Sequence, residues 1–87
     1  MRATIKRMGT KERVASAALE SGKVTVDAPF DVAAPLLAFL GAAHVVRWRD
    51  ERDIFRERKL EAGSDEHFAL RLEALPAIGF FADEVSR

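Results

Sequence analysis

Apolar and polar positions alternate from the first residues. Ala3, Ile5 and Arg7 alternate with Thr4, Lys6 and Met8, so residues 2–8 read as a short strand that Gly9 stops. Thr10 offers an N-cap for a helix over Lys11–Ser21, with Val14, Ala18 and Ser21 on one stripe and Ala17 beside it. Gly22 then occupies the C′ position of that helix. Lys23–Val26 is β-branched and alternating, which predicts a second strand, and Asp27-Ala28-Pro29 turns the chain.

Asp31 can cap the next helix, which includes Leu36, Leu37, Phe39 and Leu40. Pro35 is tolerated in its first turn if the helix begins near Val32, and Gly41 closes it. A helix apolar nearly all round belongs at the centre of a core or against a second subunit. Residues 43–60 admit two readings. As a hairpin, His44, Val46 and Trp48 share one face, and Val45, Arg47 and Arg49 share the other. A turn at Asp50–Asp53 then returns a strand from Ile54 to Leu60. As a helix, Val45, Trp48 and Phe55 form a stripe, but Arg52/Arg56, Asp53/Glu57 and Glu57/Glu61 are like charges at i, i+4. The hairpin is the expectation. Beyond Gly63, Ser64 caps a helix with Asp65 and Glu66 in its first turn and Phe68, Leu72 and Leu75 on its buried stripe. Pro76 ends or kinks that helix, and an apolar tail, Ala77–Phe81, precedes Asp83 and Glu84. The predicted class is α+β. One small domain over residues 1–87 has the order β-α-β-α-β-β-α and a small, largely antiparallel sheet packed against helices.

Composition narrows the function. The 87 residues carry 14 basic and 14 acidic side chains, so a bulk-cationic nucleic-acid coat is excluded. An apolar share of 48% with 32% charged residues is that of a globular chain. The absence of cysteine removes disulfides, thiolate metal sites and a Cys nucleophile. The longest apolar stretch, residues 33–46, is broken by Pro35, Gly41 and His44 and is short of the ~18 residues that span a bilayer. No apolar h-region follows the basic N-terminus, so no membrane association is expected and the expected location is cytoplasmic.

Catalytic chemistry finds no foothold. Ser16, Ser21, Ser64 and Ser86 lie in no Gly-x-Ser-x-Gly elbow, and there is no tyrosine. His44 and His67 are far apart in sequence, and no His-x-x-x-His or Glu-x-x-His pair exists. Asp65, Glu66 and His67 are consecutive, and helical neighbours point about 100° apart, so the three read as a polar first turn rather than a ligand set. His44 reads as a core-edge histidine. Gly22-Lys23 lacks the rest of a phosphate-binding loop. No catalytic residue, metal or cofactor is expected.

Charge is uneven along the chain. Residues 1–60 sum to +4 and residues 61–87 to −4. The one concentrated constellation is Arg47, Trp48, Arg49, Arg52, Arg56, Arg58 and Lys59, interleaved with Asp50, Glu51, Asp53 and Glu57. Arginines around one aromatic suit a protein-binding hot spot, or a strip that meets phosphates and stacks on a base. The interleaved acids repel phosphate and also fit a mixed-charge solvated face.

The opening MRATIKRMG resembles the first strand of MazE/AbrB-type antitoxins, a basic strand ending in glycine. The resemblance covers nine residues and implies DNA binding. The Arg-Ile-Pro-type segment that follows in that family is replaced here by Glu12-Arg13-Val14-Ala15.

The expected function is that of a small non-enzymatic protein-binding module, an inhibitor, adaptor or antitoxin-like partner acting by occlusion. The alternative is a DNA- or RNA-binding regulator using residues 47–59. Surplus apolar surface on the Val32–Leu40 helix and at Ile78, Phe80 and Phe81 further predicts a homodimer or partner interface there.

Overall fold

The computed structural model describes residues 1–42 and 44–86, the side chains of His44 and Val46 excepted. The reading of His44 as a core-edge histidine therefore lies outside the described residues. In chain order the elements are β1 (Arg2–Arg7), β2 (Arg13–Glu20), β3 (Lys23–Asp27), α1 (Phe30–Leu40), β4 (His44–Arg49), β5 (Phe55–Leu60), α2 (Asp65–Glu73) and β6 (Phe80–Ser86). A 3₁₀ turn over Leu75–Ile78 precedes β6. The class is α+β, a small domain in which an antiparallel sheet ordered β3-β2-β1-β6 packs against two helices, with β4 and β5 forming a separate two-stranded sheet.

The element order departs from the predicted one in two places. Lys11–Ser21 contains no helix; its centre is β2, the strand between β1 and β3. Thr10 and Gly22 look like helix caps, and alanine favours helix, yet Ala15, Ala17 and Leu19 are buried on alternate positions. Period two wins because both edges of β2 find partners, in register Ala3↔Ala17 and Ala17↔Val26. Ser21 and Gly22, at φ 52° and 74°, form the tight reversal between β2 and β3.

The second departure is the tail. Ala77–Phe81 does not project from the domain. Gly79 ends the 3₁₀ turn and the chain runs back along β1 as β6, with Ile5↔Ala82 and Lys6↔Phe81. Phe80 is 7% exposed and belongs to the core, with the Arg7 guanidinium 5.3 Å from its ring centre.

Core side chains come from one face of the sheet and the helices laid over it. Ala3, Ile5, Ala15, Ala17, Leu19 and Phe80 meet Val32, Leu36 and Leu40 of α1, Phe68 and Leu72 of α2, and Leu75. Small alanines on the sheet leave room for the large side chains above them, and Phe68, Leu36, Leu40 and Leu75 are fully buried. Asp31 lies inside the first turn of α1 rather than capping it, because the helix begins at Phe30 after Pro29, and Pro35 falls in the second turn. Ser64 does cap α2, its Oγ accepting the His67 backbone N–H at 3.1 Å. In that turn Asp65 and Glu66 are exposed, whereas His67 is buried with Phe68. The polar-turn reading therefore fails at His67.

Candidate functional site

Among the described residues, the β4–β5 hairpin makes its ion pairs and side-chain hydrogen bonds within itself, Arg58 to Glu66 of α2 excepted. Six pairs run from His44↔Leu60 to Arg49↔Phe55, which puts Val45, Arg47, Arg49, Phe55, Glu57 and Lys59 on one face. Trp48, Arg56 and Arg58 occupy the other. This is the predicted hairpin, with its turn at Asp50–Asp53. Only Leu60, at the base, is a buried side chain of β5. The molecule measures 46 × 30 × 22 Å with a radius of gyration of 14.1 Å, against about 12 Å for a compact chain of this length. The hairpin is an arm.

Asp50 organises the tip. Its Oδ1 accepts the backbone N–H groups of Arg52 at 2.9 Å and Ile54 at 3.0 Å, while Oδ2 accepts Arg56 Nε at 2.9 Å. The Asp53 N–H donates to the Asp50 carbonyl, and Asp53 takes a left-handed φ of 59°. A turn followed by a left-handed residue is a common way to close a hairpin, and the short polar side chain of Asp tolerates it. The Arg56 side chain, then the backbone donors, holds the Asp50 carboxyl below its ordinary value.

Most of the arm's charge is spent internally. Arg47 pairs with Glu57 at 2.8 Å, Arg49 with Asp53 at 3.2 Å, Arg56 with Asp50 at 2.9 Å, and Arg58 with Glu66 of α2 at 2.8 Å. Arg49 also lies 4.8 Å from the Phe55 ring centre. Among the described residues, Arg52 and Lys59 have no carboxylate within ion-pair distance. Apolar surface is what the arm leaves open: Phe55 is 67% exposed, Ile54 49%, Val45 45% and Trp48 44%.

The predicted partner-binding residues Arg47, Trp48, Arg49, Arg52, Arg56, Arg58 and Lys59 are thus gathered on one hairpin, divided between its two faces and its tip. The predicted interface residues are not gathered. Phe80 points into the core and Phe81 to the opposite face of β6, because successive strand residues alternate, and Ile78 sits on the 3₁₀ turn. Sequence reasoning passed over Val45, Ile54 and Phe55 as contact residues. The signal lay in the register, since a hairpin closed at Asp50–Asp53 leaves Phe55 opposite Arg49 with no core to enter.

No group of three or more metal-ligating side chains clusters among the described residues. None of the described helices is long and apolar enough to cross a membrane. No match to this chain is found among family models, curated proteins or solved structures. The antitoxin-like opening lies in β1, a central strand of the sheet, and extends to no family match.

Proposed function

We propose that the chain is a non-enzymatic protein-binding module that presents the β4–β5 arm as its contact surface, acting by occlusion as an inhibitor or adaptor does. The observation that carries this reading is the exposure of Trp48, Ile54 and Phe55 on an arm of whose described side chains only Leu60 is buried. Aromatic side chains ringed by arginines are the composition of interface hot spots, where apolar anchors supply affinity and the charged rim supplies orientation. Nucleic acid is a poorer fit. Four of the six cations are already matched to carboxylates, and a phosphate backbone would have to break those pairs and face the acids left behind.

The test compares immobilised wild type with a Trp48→Ala/Phe55→Ser variant. Both should fold alike, and proteins retained from the native host by the wild type should be lost from the variant. Titration with nucleic acid at rising salt is the counter-experiment. Tight binding that weakens steeply with salt and disappears in Arg52→Ala/Lys59→Ala would replace the protein-binding reading with the nucleic-acid one.

A further inference from the structure

The arm has a complement on its own chain. Met1, Asp65, Glu66, Ala69, Leu70 and Glu73 line a cleft of about 440 Å³ along α2. Ala69, Leu70 and Met1 give it an apolar floor, and three carboxylates form its rim. Asp65 and Glu73 have no cation within ion-pair distance among the described residues, just as Arg52 and Lys59 of the arm have no carboxylate. The arm thus offers apolar side chains with two free cations against the single free carboxylate of Glu51, and the cleft offers an apolar floor with two free anions.

One chain does not satisfy both surfaces. Arg58 reaches Glu66 at the base of the arm, and that is the arm's only described ion pair or side-chain hydrogen bond to the body. The turn at Asp53 lies five residues further on, roughly 17 Å along an extended strand.

We infer that the arm's partner is a second copy of this chain, each arm seated on the α2 cleft of the other, an inference that rests on the arm being the contact surface. The Arg58–Glu66 pair makes arm base and cleft neighbours. A two-fold axis beside them therefore forms the same contact twice and closes the assembly. Val45 and Phe55 lie on the arm face that also carries Lys59, so an apolar contact with Ala69 and Leu70 and an ion pair with the rim are made together. Zero net charge places no long-range barrier between copies.

Sedimentation equilibrium on three proteins and one mixture tests this. The wild type is expected to reach the mass of two chains at micromolar concentration, with association roughly tenfold weaker at about 0.5 M than at about 50 mM salt. Arg52→Glu/Lys59→Glu reverses the arm, and Asp65→Lys/Glu73→Lys reverses the cleft. Each variant alone should sediment as one chain, whereas their equimolar mixture should regain the two-chain mass, because each reversed surface then meets its complement. Recovery on mixing also shows that both variants are folded. A wild-type mass of one chain, a dimer untouched by either reversal, or a mixture that stays monomeric overturns the inference. Failure of the dimer leaves the arm free to hold a different protein, which the immobilised variant reports separately.

Discussion

The body and the arm are built on different physics although they share one chain. In the body, a sheet face rich in alanine, the apolar α1, which leaves Phe30 and Leu37 exposed, and α2 bury Phe68, Leu36, Leu40, Leu75 and Ile5 completely. In the arm, the described strand side chains enclose no core, and among them the fold rests on Asp50, cross-strand ion pairs and a buried leucine at the base. An isolated two-stranded hairpin is only marginally stable in water. What the arm loses in stability it gains in accessible aromatic and cationic surface. Stability and contact chemistry are thereby segregated, and substitutions in the two regions should have different consequences.

The largest effect belongs to the body. Phe68→Ala should cost about 3–5 kcal/mol in chemical denaturation, a large part of the stability available to so small a domain. A loss below about 1 kcal/mol would mean that Phe68 does not anchor the core. Next comes the point where two turns abut. Gly63 has φ +86°, and a Cβ there would collide with the carbonyl oxygen of Gly22 in the β2–β3 turn. Gly63→Ala should therefore cost on the order of 3 kcal/mol, from backbone strain and forced separation together. Gly22→Ala meets no such collision, its nearest neighbour being Gly63 O at 3.9 Å, and should lose less. Equal losses in the two variants would show that the abutment is unimportant.

The arm should respond locally. Asp50→Ala removes the acceptor for two backbone N–H groups and Arg56, so residues 45–59 should lose their strand chemical shifts while those of β1, β2 and β6 persist. Global unfolding on the same substitution would contradict the segregation. The smallest effect is expected at Lys6–Asp83, a 2.6 Å pair on the uncovered sheet face. The Lys6 side chain lowers the Asp83 carboxyl in the folded state, so this contribution is complete above the ordinary carboxylate range. It is lost only as pH falls through the lowered value. Lys6→Met should accordingly change stability slightly at neutral pH and not at all in strong acid, as paired pH-dependent melts would show.

The sequence disclosed the arm more faithfully than the body. Alternation through residues 44–60 and like charges at helical spacing pointed to a hairpin, and local turn chemistry at Asp50 and Asp53 sufficed to place its closure. The stretch from Lys11 to Ser21 reads as a helix in sequence, and folds as a strand, for a physical reason. A glycine at position 22 serves equally as a helix C′ residue or as half of a tight hairpin turn, since both require positive φ. Alanine then tips local preference toward helix, and only pairing with β1 and β3, distant information, reverses it. The tail too depends on a partner distant in sequence, its pairing with β1. Phe80 and Phe81 look like one apolar cluster in text, yet on a strand they face opposite ways. On the proposed contact surface the arginines and Trp48 were legible from composition. The prominence of Phe55 and Ile54 needed the register, and the cleft on α2 needed the fold.

Native-state hydrogen exchange across the chain tests the separation of arm and body most directly. At low protein concentration the amides of β4 and β5 should exchange through local opening, at least about 2 kcal/mol less protected than those of β1 and β2. Exchange of arm and body with a single common free energy would contradict the account, because it would make the hairpin a cooperative part of the core rather than a separate exposed arm.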